Sequence, residues 1–480
     1  MPQPISKALR FGLMPAIIRE GVLRRRHVMD DPAFRNCVKA GVDVSAALTA
    51  LCSIPGRLTL PDAGTTMILG ARATATATGL ILDGAFSLFH LNATNAGIDF
   101  TGQDSGIEYV KILGSQTVLP TAGDAITFTG GQKNFARNIR MEKVFNGIAL
   151  TNNSETILEN IHTREVHGVY GVKTGGAAAV SGVYGARLYN ITADAPYPGT
   201  TDASKYKGAR VASTVYATND IYTSGGCVYQ VTTGGTSAVG TGPNGSHGTT
   251  GTRLITDGTA VVQFICSLSL AWISVESFGY STTIMNSALI NGVYGVRMTD
   301  ALATGSSYPF WLDCVRVESD HALLCGASIE AGKDFSATGR SWFGSCLAGN
   351  GVQILSGYKG GGLIQGALIR GNAQTGILLN EAKGFGVHNC DIGSNSQASS
   401  GTYNNVSAAA NVNGFQIIGN RFMPDPPGTT QAAGRPVVVA AGTSDGYVIT
   451  NNVSQGHVSA NTVNDGGTGV NKSVTANVAY

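Results

Sequence analysis

The sequence predicts an all-β protein built as a parallel β-helix, in which one short unit is stacked many times. Two observations carry this prediction. Asn-Ile pairs recur at Asn138 and Asn160, 22 residues apart, and Gly-apolar pairs recur at Gly147 and Gly168, 21 residues apart. A unit of roughly 20–25 residues cannot bury its own apolar face and must stack on its neighbours. The 65 glycines and the 13% share of charged residues suit short strands joined by polar turns.

Charge and cysteine content exclude several classes of function. The net charge is +2 with acids and bases interspersed, so we expect no nucleic-acid partner and favour a neutral or mildly anionic polymer. No apolar run reaches the ~20 residues of a membrane span, so no membrane insertion is expected. The eight cysteines lack metal-site spacing, and we expect no metal and no cofactor. They are interpreted as buried free thiols of a reducing compartment, with a Cys227–Cys266 disulfide as the alternative.

The N-terminal region divides into two predicted parts. Residues 1–40 contain a basic, amphipathic stretch from Lys7 to Arg26 and no cleavage site of a secretion signal. We interpret this region as an attachment segment, with a frayed terminus as the alternative. Residues 41–51 carry apolar residues at helical spacing, and a strand is expected over residues 55–61. This helix and strand are predicted to cap the open edge of the first rung.

Rungs of the β-helix are predicted in residues 41–204, after the cap, and again in residues 267–480. The sequence Gly-Val-Tyr-Gly-Val occurs at residues 168–172 and again at residues 292–296. Its side chains are expected to alternate between inward and outward orientations, as in a β-strand. The chain ends in what is predicted to be a β-helix turn. Recurring asparagines are predicted to be structural, each amide bonding the same amide one rung away: Asn138, Asn160, Asn190, Asn372, Asn389 and Asn420.

The repeat pattern of the rungs is interrupted in residues 205–266. Tyr216 and Tyr222 are followed by Thr-Thr-Gly-Gly-Thr-Ser at residues 232–237 and Asp-Gly-Thr at residues 257–259. We predict a compact antiparallel module inserted into a turn, because the rungs on either side can still stack on each other.

The chain resembles bacteriophage tailspike proteins of the pectate-lyase-like, right-handed β-helix type. Three stretches carry this resemblance: the cap at residues 42–61, the insert, and the C-terminal run from residues 311–318 through residues 461–469. The insert is similar to small carbohydrate-binding modules, with Phe264 where such modules often have Trp. The resemblance implies a homotrimer of the virion tail, assembled in the bacterial cytoplasm, whose residues 1–40 bind tail or baseplate proteins. It also implies binding, and often cutting, of a bacterial surface polysaccharide, either capsule or lipopolysaccharide O-antigen.

Paired carboxylates are the residues expected to form a glycan-cleaving site. Glycoside hydrolysis uses two carboxyl groups about 5–5.5 Å apart with retention or about 6.5–9.5 Å apart with inversion. Rungs about 4.8 Å apart provide both spacings. Acids are sparse, yet several fall close to tryptophans between residues 311 and 342. The candidate catalytic residues are Asp313, Glu318, Asp320 and Glu330, and the candidate substrate-binding residues are Trp311, Trp342, Arg340 and Trp272. The alternative is that these are solvated turn acids and buried tryptophans.

Other interpretations stay open. A second cluster contains Glu142, Glu159, Glu165, His162 and His167, and we expect its acids to pair with Arg140, Lys143 and Arg164 rather than to catalyse. A polysaccharide lyase is less favoured, because a calcium-binding acid cluster with a suitably placed arginine is not evident. The sequence therefore predicts a spike that recognises and depolymerises a surface glycan. A spike that only binds the glycan is the alternative.

Overall fold

A computed structural model describes residues 25–115, 122–176, 182–194, 202–244, 254–300, 311–381, 383–424 and 432–480. The chain forms a right-handed parallel β-helix, which confirms the predicted fold class. The register follows the spacing seen in the sequence, since Ile139 pairs with Ile161 on the next rung. Each rung passes through three strand segments, which stack into the long parallel sheets of the molecule.

Sheet 1 contains thirteen parallel strands. They are Arg72–Ala75, Gly97–Phe100, Asp124–Thr129, Asn146–Thr151, Tyr170–Thr174, Ala271–Val275, Tyr294–Met298, Cys325–Ile329, Asn350–Ile354, Ile377–Leu379, Val406–Ala408, Val437–Gly442 and Asn464–Gly467.

The remaining 22 strands of the β-helix form one continuous hydrogen-bonded sheet. They are Arg26–His27, Gly56–Thr59, Thr66–Leu69, Leu80–Leu91, Gly106–Leu113, Phe135–Glu142, Ile157–Arg164, Ala186–Asp194, Thr282–Ile290, Leu312–Asp320, Phe335–Thr338, Trp342–Gly344, Leu363–Gln365, Leu368–Arg370, Gly386–His388, Asp391–Gly393, Gln416–Ile418, Arg421–Phe422, Val448–Thr450, Val453–Ser454, Ser473–Thr475 and Val478–Ala479.

This large sheet bends along a line of residues with left-handed backbone, so we treat it as two faces. The bend passes through Asn138, Asn160, Asn190, Asn286 and Arg316. Strand Leu312–Asp320 shows the division, because its first half pairs with Phe335–Thr338 and its second half with Trp342–Gly344. We call the part before the bend sheet 2 and the part after it sheet 3. Three outward faces are therefore available for a functional site.

The core fills the space between the three sheets. Inward positions of successive sheet 1 strands hold apolar residues in register, as in the column Ile148, Val172, Ile273 and Val296. All four are fully buried. Each Å² of apolar surface that these columns remove from water stabilises the stack by about 25 cal/mol. The outward residues between them do not contribute to this core and are free to vary.

Asparagine ladders join the rungs, as the sequence predicts. Along the bend, Asn160 Nδ2 donates to Asn138 Oδ1 at 3.0 Å and Asn190 Nδ2 donates to Asn160 Oδ1 at 2.9 Å. These amides are exposed. A second ladder is buried, since Asn420 Nδ2 donates to Asn452 Oδ1 at 3.0 Å. The same repeat thus uses asparagine both at its surface and inside.

Replacing Asn420 by alanine is expected to lower the thermal midpoint markedly. The Cys390 amide donates to Asn420 Oδ1 at 2.9 Å, and Asn420 Nδ2 donates to the Val387 carbonyl at 2.8 Å. Loss of the side chain leaves both backbone groups buried without this partner, at about 1–3 kcal/mol each. Asn160→Gly is the control, because it keeps the left-handed backbone and removes only exposed bonds. Equal losses in both variants, measured by calorimetry, would contradict this account.

The N-terminal cap is larger than predicted. A 3-10 helix, Val28–Asp30, leads into helices Pro32–Ala40 and Ser45–Leu51. The first helix begins with Asp31, whose side chain accepts a hydrogen bond from the Phe34 amide at 2.8 Å. Phe34 is fully buried in the main core. Residues 26–40 of the segment predicted for attachment therefore pack on the β-helix. Residues 1–24 lie outside the described residues.

The insert forms its own sheet, with strands Tyr206–Ala209, Ile221–Ser224, Cys227–Thr233, Leu254–Asp257 and Ala260–Ser267. Its strands are antiparallel apart from the first pair, which is parallel. The shorter elements of the chain are the 3-10 helix Ala203–Lys205 and the paired strands Val215–Tyr216 with Gly235–Thr236 and Asn153–Ser154 with Val183–Tyr184.

Each face of the insert's sheet carries buried side chains. Tyr222, Tyr229 and Phe264 form a small core of its own, so these rings cannot serve as platforms for sugar stacking. Ile221 and Val228 on the other face join the core of the β-helix. Cys227 and Cys266 are free, as are the other six cysteines, and the alternative of a disulfide is wrong.

Candidate active site

The four predicted catalytic acids lie on three different faces rather than in one cluster. Asp313 is on sheet 2 and accepts a hydrogen bond from Ser336 Oγ. Glu318 and Asp320 are on sheet 3. Glu330 follows strand Cys325–Ile329 of sheet 1. Closeness in sequence was misleading here, because one rung visits all three sheets within about 25 residues.

Glu318, Asp320 and Trp342 do come together on sheet 3. Trp342 lies in register with Glu318 on the next rung, and its indole Nε1 donates to Asp320 Oδ1 at 3.3 Å. His321 Nδ1 contacts Asp320 Oδ2 at 2.8 Å. Burial disfavours the charged form of Asp320, but the bonds from His321 and Trp342 outweigh burial and lower its pKa. The same hydrogen bond raises the pKa of His321.

The other predicted sugar-binding residues differ in exposure. Arg340 is exposed at a left-handed turn position, and Trp311 is half-buried at the beginning of strand Leu312–Asp320. Trp272 is fully buried, and its Nε1 donates to the Ile290 carbonyl at 2.9 Å. Its position in the neighbouring rungs is occupied by glycine, at Gly171 and Gly295. Trp272 therefore fills the core, and its assignment to substrate binding is wrong.

The outward face of sheet 1 carries a constellation that sequence reasoning missed. Lys173 Nζ lies 4.8 Å from the ring centre of Tyr170, and Arg297 Cζ lies 4.9 Å from the ring centre of Tyr294. The two pairs occupy equivalent positions two rungs apart, since Lys173 pairs with Ser274 and Ser274 with Arg297. The hydroxyl of Tyr170 also donates to Asp124 Oδ1 at 2.5 Å. This face therefore carries positive charges beside a buried ring, Tyr170, and a half-buried ring, Tyr294.

Each cation pairs with a glutamate from the next rung. Lys173 Nζ lies 3.9 Å from Glu276 Oε2. Arg297 binds both oxygens of Glu330, with Nε to Oε1 at 2.7 Å and NH2 to Oε2 at 2.8 Å. Ser328 Oγ adds a bond to Glu330 Oε1 at 2.8 Å. The Glu330 carboxylate is thus oriented by three donors.

The two glutamates stand two rungs apart. The Glu276 amide donates to Thr174, the Thr299 amide to Val275 and the Glu330 amide to Met298, so these three residues occupy successive rungs. Two steps of about 4.8 Å place their backbones about 9.6 Å apart. That distance is near the upper end of the carboxyl separation in inverting glycosidases. Between them lie Thr299 and the Arg297 guanidinium.

The surroundings of Glu276 favour its protonated form. Its side chain is 17% exposed, and burial raises its pKa. The positive charges of Lys173 and Arg297 lower this pKa and the charge of Asp124 raises it, but burial has the largest effect. A carboxyl group that keeps its proton at higher pH suits a general acid. An oriented, ion-paired carboxylate such as Glu330 suits a general base.

A pattern for this site was present in the sequence. The two copies of Gly-Val-Tyr-Gly-Val end one residue before Lys173 and Arg297, so each copy places a basic residue three positions after its tyrosine. The acids lack such a local pattern, because Glu276 follows the insert and reaches Lys173 only through stacking of rungs.

The second predicted cluster consists largely of ion pairs. Arg140 contacts Glu142 at 3.8 Å, which agrees with the expected pairing, and Arg137 contacts Glu159 at 3.3 Å. Glu142 lies in register with Arg164. His167 is fully buried, and its Nδ1 lies 3.0 Å from the Ile265 carbonyl oxygen in the insert.

Comparison with known proteins finds similar solved structures that share the parallel β-helix fold. No family model matches the chain, and no curated protein matches its sequence. Among solved structures, tailspike protein 3 of bacteriophage CBA120 is similar with a TM-score of 0.53 and 11% identity, over 95% of this chain and 61% of that one. The chain has the pectate-lyase-like parallel β-helix fold. It spans about three fifths of that tailspike's length.

Two further similar structures have lower scores. The Dettilon tailspike protein has a TM-score of 0.49 and 12% identity, covering 89% of this chain and 66% of that one. The A-module of mannuronan C-5 epimerase AlgE6 from Azotobacter vinelandii has a TM-score of 0.43 and 10% identity, covering 95% and 99%. Within the described part of this β-helix, no helix is long and apolar enough to cross a membrane.

Proposed function

We propose that the protein is a phage tailspike that recognises a bacterial surface polysaccharide and hydrolyses it internally. The observation that carries this proposal is the glutamate pair on sheet 1, in which Glu276 has a raised pKa and Glu330 is held by Arg297 two rungs away. A parallel β-helix suits a long polymer, because its outward faces are straight and stiff. The fold shared with the CBA120 tailspike supports this proposal.

In the proposed reaction Glu276 is the general acid and Glu330 the general base. A water molecule between sugar and Glu330 loses a proton to that carboxylate while its oxygen attacks the anomeric carbon. The glycosidic C–O bond breaks, and Glu276 donates its proton to the leaving oxygen. The spacing of two rungs between the backbones leaves room for this water, so we expect the product to have the inverted anomeric configuration. Tyr294 offers a half-buried ring beside the sugar path.

Glu318 and Asp320 remain a second candidate pair, with Trp342 as a sugar platform. They are two residues apart on one strand, about 6.6 Å between backbones. The low pKa of Asp320 suits a base or nucleophile. Sheet 3 is a different face from sheet 1, so amide substitutions on each face distinguish the two pairs. Asp313 lies on sheet 2, and Trp311 precedes the same part of the strand, so neither residue flanks this pair on sheet 3.

The assembly is part of the proposal. A homotrimer in the virion tail, attached through residues 1–40 to tail or baseplate proteins, would present three copies of the glycan site to the host surface. Such a protein would be made in the bacterial cytoplasm and act outside the cell. Mass photometry at low concentration tests the trimer, and a stable monomer would contradict it.

The pH profile of hydrolysis should depend on Lys173. Glu276 must be protonated to act, and its raised pKa keeps it protonated above the usual glutamate range near 4.3. Activity is therefore expected to fall as pH rises through that raised pKa. Lys173→Met removes a charge that lowers the Glu276 pKa, so the alkaline limb of kcat/KM should move to higher pH. An unchanged limb, or one moved to lower pH, would contradict the assignment of Glu276.

A panel of purified capsules and lipopolysaccharides tests the function itself. The protein should shorten at least one of these glycans, as judged by size-exclusion chromatography of the products. Binding without shortening would favour the alternative, a spike that only adheres. Products with an unsaturated sugar end would indicate a lyase and contradict hydrolysis.

A further inference from the structure

A polar groove runs along the turn that joins sheet 1 to sheet 2 on the early rungs. Its volume is about 280 Å³, and it is lined by Gln103, Gln132, Asn152, Asn153, Ser154 and Tyr184. These residues come from successive rungs, because Gln132 bridges Ser154 and Ser154 pairs with Tyr184. The groove therefore extends along the axis of the β-helix.

Three amide side chains in this groove are free to bind a ligand. Gln103, Gln132 and Asn152 are exposed, and among the described residues their side chains have no hydrogen-bond partner. Asn153 differs, since it is buried and its Nδ2 donates to the Gly130 carbonyl at 2.9 Å. Each free amide offers both donors and an acceptor, which is what sugar hydroxyl groups require.

An oriented aromatic ring closes one end of the groove. Tyr184 is 53% exposed and stacks on Tyr280, with ring centres 4.4 Å apart and planes at 8°. Gly182 makes room for both rings, because a Cβ there would lie 3.0 Å from the Tyr280 ring and 3.2 Å from the Tyr184 ring. The exposed ring is thus held in place before any ligand binds, which reduces the entropic cost of stacking a sugar on it.

We propose that this groove binds a neutral stretch of saccharide and anchors the glycan beside the catalytic face. The exposed charges nearby, Lys133 and Glu155, are of opposite sign, so no net field selects an anionic ligand. Tyr280 follows Glu276 by four residues on the same rung. A chain lying in the groove can continue along that edge of sheet 1 to Glu276. This inference rests on the proposed function and assigns it a separate anchoring site.

Glycan binding should be measured in a Glu276→Gln background, so that the ligand is not cut. Purified capsules and lipopolysaccharides, neutral and anionic, are immobilised and titrated by surface plasmon resonance. Tyr184→Ala is expected to raise Kd about tenfold, and Gln132→Ala should raise it less. Tyr189→Ala is the matched control, because Tyr189 is a partly exposed tyrosine on the outward face of sheet 2 and should bind as the parent does.

The outcomes separate the two proposals. Binding that is unchanged in both groove variants, or lowered equally by Tyr189→Ala, overturns the anchoring site and leaves the proposed function standing. Retention of anionic glycans alone overturns the assignment to neutral saccharide. If the parent protein binds no glycan in the panel, the spike proposal fails together with the groove. In the protein with intact Glu276, Tyr184→Ala should raise KM and leave kcat near the parent value.

Discussion

Replacing Glu276 by glutamine is expected to reduce the rate of glycan hydrolysis about 10²–10⁴-fold. The amide keeps the shape of the side chain but has no proton that it can give to the leaving oxygen. Glu330→Gln should have an effect of similar size, because it removes the group that accepts the proton of the attacking water. Binding of the glycan should stay near that of the parent protein, since neither change alters the half-buried ring of Tyr294 beside the proposed sugar path.

Glu159→Gln is the matched control for these variants. Glu159 is an exposed glutamate on sheet 2 that pairs with Arg137 at 3.3 Å, so its loss should leave hydrolysis unchanged. Glu318→Gln and Asp320→Asn test the rival pair on sheet 3. Full activity in both sheet 1 variants, with activity lost in the sheet 3 variants, would move the catalytic centre to sheet 3.

Trp272→Ala is expected to destabilise the fold by about 3–5 kcal/mol. The indole is fully buried, and it packs where neighbouring rungs have glycine, so no small adjustment can fill the cavity. Its Nε1 also donates to the Ile290 carbonyl, which would lose that partner. Denaturant unfolding with circular dichroism measures the effect.

Trp342→Ala provides the comparison for that variant. Trp342 is half-buried on the outward face of sheet 3, so its loss should cost less stability. If Trp272→Ala folded with parent stability and lost only glycan binding, Trp272 would be a sugar platform after all.

The repeating part of the fold could be predicted because its period is local. Asn138 and Asn160 are one rung apart, and the amide bond between them follows from that spacing. The helix Ser45–Leu51 was also predictable, since its apolar spacing is contained in a few residues. Phe34 was not placed in the core, because the segment before it is basic and suggested a separate tail.

The site could be predicted only in part, for a geometrical reason. Glu330 was selected, but its partner Arg297 lies on the previous rung and Glu276 on the rung before that. In a β-helix the neighbours of a residue stand one rung away in sequence, and rung lengths vary. Glu318 and Asp320 are close in sequence to Glu330 yet face another direction. Trp272 looked available because an isolated tryptophan carries no sign of inward orientation.

The most direct test of the central claim is the anomeric configuration of a freshly cut glycan. Proton NMR during digestion of a susceptible polysaccharide by the parent protein, beside Glu276→Gln, reports both cleavage and stereochemistry. The glutamates two rungs apart predict that new reducing ends appear first with inverted configuration, and that Glu276→Gln produces almost none. First products with retained configuration, or equal cleavage by Glu276→Gln, would contradict the assignment of Glu276 and Glu330 as acid and base.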